Sequence, residues 1–560
     1  MSQVRNAMRL LASLLQLLCV LAASLSPQLA SAEMQTVCTI TVNSADEQES
    51  FRRFLPASKY RFVELVERHR PDWLASACQQ RVSCDVLVIS GHYGAGNEFF
   101  SDALEAREFL PIAELERVSC SDSCPSLFSR LKEVYLFGCN TLNPQAQHSA
   151  SAEIARSLVR EGSSPVEADR LARLLNSGHG ESSRDRMRMV FKDVPVIYGF
   201  SSAAPLGPAA ASTLNRYFQA TGAKDVGNGR ASSRLLSQFA PNGMTVAQGM
   251  TDADPHAAVR QDMCRFADDR LSNVEKLRFV HQILQRPTAE ARMLLDRIER
   301  YAAGLDASER QAPEVAQELD AIARDAGARG RYLAFARDAD EPAVRARMLN
   351  LAHDLGWLST DERRHELVRM TRDLLAHAAI AGTEVDLVCT LNKEHDLDGG
   401  QGQLAAAAGG VDDVGHAAIR ACMGSAEGHA RTLQGLVSPA DADVRIAQTY
   451  LHHRPIVDVG ELRAVVAAIA RMNGSEAQVR ALDALAQHYL SDRESLDMLA
   501  TLYSQTPSWP VQNAIAGILI RSDTRSIGSQ DLLRTLRERR HKPPSGDNMV
   551  DALISRLQLP

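Results

Sequence analysis

Four short runs of apolar, often β-branched residues stand out in the first 245 positions: 38–42, 85–90, 133–138 and 194–200. Each is continuously apolar instead of alternating, the pattern of strands buried on both faces of a parallel sheet. Between them the apolar period changes. Residues 47–78 carry Phe51, Phe54, Phe62, Leu65 and Val66 at helical spacings, and Pro56 divides the stretch into two predicted helices. Residues 152–175 predict two more, separated by Gly162-Ser163-Ser164-Pro165. The polar stretch 181–188 predicts a surface loop. Strands alternating with helices imply right-handed crossovers and one sheet covered on both faces. The predicted first domain, 33–245, is therefore α/β with a mostly parallel sheet.

From about 250 onward the strand-like runs fade and predicted helices follow one another with short polar breaks. A short pattern recurs around Val344-Arg345, Val444-Arg445, Val479-Arg480 and Val511-Gln512, and the last three valines are 35 and 32 residues apart. Helix-pair repeats of this length predict an all-α, solenoid-like second domain over 250–560. The pattern resembles irregular HEAT-like repeats. A non-repetitive helical bundle is the other reading. Gly399-Gly400 and Gly409-Gly410 bracket a Gly/Ala-rich stretch, and the joint between the halves is expected between 243 and 255.

The N-terminus changes the picture. Arg5 and Arg9 precede an apolar run over 10–25, and Ala30-Ser31-Ala32 is a small-x-small site before Glu33. This is the layout of a secretory signal peptide over 1–32. The run is shorter than the ~20 apolar residues of a spanning helix, although an uncleaved anchor is an alternative. A lipoprotein reading fails because Leu18 precedes Cys19 where a small residue is needed. No later segment is apolar enough to span a membrane, so the expected product is exported, periplasmic or secreted, with no membrane span in the mature chain. Beyond residue 32 the net charge is −9, which argues against nucleic acid as a partner. Basic residues are mostly Arg, as in chains from GC-rich bacterial genomes.

The candidate chemistry lies at two strand ends. The run 85–90 ends in Ser90-Gly91 and delivers His92 onto Tyr93-Gly94-Ala95-Gly96; the run 133–138 ends in Gly138 and delivers Cys139-Asn140-Thr141. In parallel α/β sheets ligands bind beyond the carboxyl ends of the strands, so adjacent strands would present His92 and Cys139 on one edge. A free thiol, with a pKa near ~8.5, is mostly protonated at neutral pH. A nearby imidazole activates it as base or as imidazolium partner. The N–H groups of Tyr93, Gly94 and Cys139 are candidate oxyanion donors, and losing one such donor typically costs ~10²–10³ in rate.

These motifs, in this order, resemble the caspase-like clan of cysteine peptidases, and within it the CHAT domains often found beside helical repeats. Phe109-Leu110-Pro111-Ile112-Ala113-Glu114-Leu115 is similar to the segment between the two motifs, and Cys139-Asn140-Thr141 to the family's Cys-x-Thr. Residues 194–202, followed by a helix ending Asn215-Arg216-Tyr217-Phe218, resemble its next strand and helix. The similarity covers roughly 36–225. It implies a Cys139 nucleophile, a His92 base, oxyanion or substrate contacts at Tyr93, Gly94, Gly138, Ser201 and Ser202, and a protein or peptide substrate. No cofactor or metal is implied. One departure is Tyr93, which stands where the family has Gly directly after His. It motivates a second reading, a catalytically inactive periplasmic scaffold for protein–protein contact through the helical repeats.

Nine cysteines follow residue 32, an odd number. If Cys139 is the free thiol, Cys38, Cys78, Cys84, Cys120, Cys124, Cys264, Cys389 and Cys422 remain for four disulfides. Cys120 with Cys124 would close a short loop, and Cys389 with Cys422 would staple neighbouring helices; connectivity is otherwise open. A zinc site at Cys78, Cys84, Cys120 and Cys124 lacks paired CxxC units. The segment from Glu394 to Gly399 opens like a calcium loop but has Ala405 where the bidentate Glu belongs, so it reads as a polar loop. His179 follows a predicted helix and comes after Cys139, against the family order. Asp102 and Glu181 are candidates for a pocket accepting a basic side chain.

Overall fold

The structure is a computed structural model that describes residues 34–65, 74–94, 97–101, 108–145, 151–160, 162–178, 182–254, 257–398, 413–473, 476–523, 529–543 and 548–558. The expected leader at 1–32, Asp102, His179, Glu181 and the Gly-rich stretch from 399 lie outside these residues.

Among the described residues nine strands form two sheets. In chain order they are β1 (Gln35–Thr41), β2 (Tyr60–Glu64), β3 (Val86–Ser90), β4 (His92–Gly94), β5 (Glu98–Phe100), β6 (Phe109–Pro111), β7 (Glu133–Phe137), β8 (Val196–Phe200) and β9 (Met244–Ala247). The main sheet has the order β2-β1-β3-β7-β8-β9. Its neighbours are parallel except β8 and β9. Strands β4, β5 and β6 make a small antiparallel sheet.

The continuous apolar runs follow from burial on both faces. In β3, Leu87 and Ile89 enter one core and Val86 and Val88 the other. In β7, Val134 and Leu136 divide from Tyr135 and Phe137 in the same way. Helix Gly207–Thr221 packs against helix Asp46–Phe54 and adds Leu214, Tyr217 and Phe218 to the second core.

Three parts differ from the sequence expectation. The first helix over 46–54 is present, but Tyr60–Glu64 beyond Pro56 is a strand on the sheet edge, and the next helix is only Ala75–Gln79. Pairing with β1 overrides a helical spacing too short to hold a helix alone. The stretch 181–188 is no loop in its described part: Ser182 accepts from Asp185 N and caps helix Ser183–Val190, whose Met187, Met189 and Val190 are buried. Strands β4, β5, β6 and β9, of three or four residues, were too short to carry a period. The two helices expected between 152 and 175 are present as Ser151–Arg160 and Pro165–Gly178.

Eight cysteines form four disulfides: Cys38–Cys84, Cys78–Cys124, Cys120–Cys264 and Cys389–Cys422. The last joins two helices, as expected. The short Cys120–Cys124 loop is not formed, because the two side chains enter different apolar clusters. Cys124 packs with Cys78 in a sheet core, whereas Cys120 packs with Cys264, Met189, Met250 and Met263. With all four of its cysteines bridged, the zinc alternative has no ligands.

Contacts divide the chain into two compact units, 1–283 with 289–297, and 284–288 with 298–560. The first therefore runs past the sheet. Helix Ala257–Ala267 is held to it by Cys120–Cys264 and by Arg260, which donates to Met189 O at 2.8 Å and Ser119 O at 3.0 Å. Arg297 makes a bidentate pair with buried Glu116 at 2.6 and 2.9 Å.

The regular elements among the second unit's described residues are all helices. The recurring valines each lie in the first turn of a helix: Pro342–Asp354, Asp441–His453, Glu476–Leu485 and Trp509–Leu519. Helices 441–453, 476–485, 509–519 and 549–558 stack in one row, and 459–470, 493–505 and 529–538 in another. No helix among the described residues is long and apolar enough to cross a membrane.

Candidate active site

The register of the main sheet aligns the candidate residues. Thr41 of β1 pairs with Ser90 of β3, and Ser90 with Phe137 of β7. Two residues beyond these partners stand Asn43, His92 and Cys139. On the far side, Asn140 N donates to Ser202 O at 2.8 Å, which brings the residue after β8 alongside. Three adjacent parallel strands thus lead into an amide, an imidazole and a thiol, each two residues past the last paired position, and Ser202 stands two residues past the end of β8.

His92 opens β4 directly after Gly91. Side chains alternate along a strand, so Tyr93 enters the core at 4% exposure while His92 and Gly94 lie on the opposite face. The Tyr93 hydroxyl donates to Asn97 Oδ1 at 3.3 Å, and burial raises the phenol pKa. The residue that departs from the His-Gly pattern therefore keeps its side chain off the His92 face. Phe100 lies opposite His92 in β5, with ring centroids 5.4 Å apart. On the β1 side, Asn43 Nδ2 and His92 Nε2 are 3.2 Å apart.

Cys139 is half-buried and is the one free cysteine among the described residues. Its Sγ accepts from Ala204 N at 3.3 Å. The turn around it is fixed on both sides. A Cβ on Gly138 would stand 2.8 Å from Tyr93 Cβ and 2.9 Å from Gly91 O, so only glycine allows the two strand ends to meet this closely. Asn140 adopts φ +58°, a conformation asparagine tolerates well. Thr141 Oγ1 donates to Gly138 O at 3.1 Å and accepts from Phe200 N at 3.1 Å. The Asn140 N–H is used on Ser202, whereas the Cys139 N–H makes no hydrogen bond among the described residues.

Ser201 and Ser202 bond to the turn before β9. Ser201 N and Oγ donate to Gly243 O at 3.0 and 3.1 Å, and Ser202 Oγ donates to Asn242 O at 3.2 Å. These bonds hold the loop after β8 to the turn before β9. Glu47 sits beside the β1 end, 3% exposed, with Ser44 Oγ donating at 3.4 Å; burial raises its carboxyl pKa.

Sequence reasoning did not find Asn43, Glu47 or Ala204. Asn43 and Glu47 follow the first apolar run and Ala204 the fourth, but nothing local marks them; their partners lie in other strands. No cluster of metal-binding side chains occurs among the described residues. Comparison with known protein families, with curated proteins and with solved structures finds no match for this chain.

Proposed function

We propose that the chain is an exported cysteine endopeptidase of caspase-like, CHAT-like type, with His92 and Cys139 as its dyad. The observation that carries the reading is the placement of an unbridged thiol and an imidazole at matching positions beyond adjacent parallel strands, while every other described cysteine is paired. Four disulfides also suit an oxidising compartment.

In this mechanism the Cys139 thiol proton passes to the His92 imidazole as Sγ bonds to the scissile carbonyl carbon. The carbonyl π pair moves to oxygen, which the Cys139 N–H and the Gly94 turn receive. The C–N bond then breaks, and the imidazolium returns the proton to the leaving amine. Water, deprotonated by the same imidazole, hydrolyses the thioester and restores the thiol. The HEAT-like helical unit recruits the protein substrate or a partner.

A thiol-directed peptidyl probe tests the proposal. Wild-type protein is expected to label and Cys139→Ala not to; His92→Ala is expected to label at least ~10²-fold more slowly, the range for losing a positioned base. Equal labelling of wild type and Cys139→Ala would sink it.

One observation favours the scaffold reading: a groove of about 590 Å³ in the helical unit, lined by Arg463, Asp492, Asp497 and Leu502. An unreactive Cys139 together with retained partner binding by that unit would favour the scaffold.

A further inference from the structure

We infer that Asn43 is a positioning residue for His92, selecting the tautomer that leaves Nδ1 to take the thiol proton. The inference rests on the dyad reading and deepens it. Asn43 follows β1 and Cys139 follows β7, the two neighbours of β3, which leads into His92. The link to β1 is tight: Val42 N and Asn43 N both reach Ser90 O, at 2.8 and 3.3 Å. A Cβ on Gly91 would stand 3.0 Å from Val42 Cβ, so the two chains stay close beyond the sheet.

The chemistry follows from the 3.2 Å contact between Asn43 and His92 Nε2. The two ends of an amide are interchangeable in heavy-atom geometry. A His92 that accepts a proton at Nδ1 must already carry one at Nε2, and Asn43 Oδ1 is then its acceptor. When the thiol proton arrives, the imidazolium has N–H groups on both nitrogens, and the same oxygen holds the Nε2 side. The amide thus favours both the reactive tautomer and the charged form, without a charge of its own. Asp46, Glu47 and Glu49, on the helix after Asn43, and Glu98, opposite Gly94 in β5, are acidic groups on the neighbouring elements; the same helix ends in Arg52 and Arg53.

The test is the pH dependence of Cys139 alkylation by iodoacetamide, read on the Cys139 peptide by mass spectrometry in the full chain. Asn43→Ala is expected to move the midpoint up by about one pH unit, which slows alkylation at pH 7 roughly tenfold. Asn43→Asp puts a carboxylate beside the imidazolium and is expected to move the midpoint down. A purely structural role would shift both variants the same way. Circular dichroism and melting temperature check that each variant folds, and the isosteric Asp variant carries the test if the Ala variant does not. Unchanged midpoints, or shifts in one direction, overturn the role of Asn43 if His92→Ala still raises the midpoint. If His92→Ala leaves it unmoved, the dyad falls and the role of Asn43 with it.

Discussion

Glu47 shows how a single buried group near the candidate site couples to pH. Burial raises its carboxyl pKa above the ordinary 4.5, against the opposing hydrogen bonds from its own backbone, Ser90 and Ser44. Below about 4.5 the carboxyl is protonated in folded and unfolded chains alike and contributes no pH dependence. As pH rises, the unfolded chain ionises first, so the contribution becomes destabilising and is complete above the folded pKa. Glu47→Gln is therefore expected to gain stability relative to wild type between pH 4 and pH 7, measured by urea unfolding; a constant difference would disprove it. At this scale the strand-end positions of His92 and Cys139 were legible in the sequence because each follows a glycine at the end of an apolar run. Asn43 was not, since its contact with His92 spans 49 residues and depends on register. The core-facing side chain of Tyr93 was also hidden, because no three-residue strand announces its own alternation.

Among the elements, the long apolar runs of the sheet were legible and the short strands were not. Two-sided burial writes itself into consecutive residues, whereas β4, β5 and β6 exist by pairing with one another. The recurring Val-Arg/Gln pattern in the helical unit has a physical counterpart in Gln512. Its side chain is fully buried; Nε2 donates to Tyr503 O at 3.1 Å and Arg539 O at 2.8 Å, and Oε1 accepts from His541 N at 3.0 Å. One side chain thus ties helix Trp509–Leu519 to the ends of helices Arg493–Gln505 and Ser529–Glu538. Gln512→Leu keeps the volume but strands these backbone groups, at roughly 1–3 kcal/mol for each group left buried and unpaired. A clear drop in the unfolding midpoint of the helical unit is expected; a neutral effect would show that water replaces the amide.

For the whole molecule, the cysteines give the sharpest count. In the exported form expected here, without residues 1–32, thiol titration in denaturant without reductant should find one reactive thiol, Cys139, and titration after reduction should find nine. Two or more thiols before reduction would contradict the four disulfides. By itself the sequence determined the α/β-then-helical order, the buried parallel strands, the Cys389–Cys422 staple and the two strand-end motifs. Each of these is local or periodic, and burial imposes it on neighbouring residues. Only the tertiary structure decided which strands lie side by side, that Cys120 meets Cys264 instead of Cys124, and that Asn43 meets His92. Those outcomes depend on strand order and register, which are set by packing between segments far apart in the chain and leave no mark on any one of them.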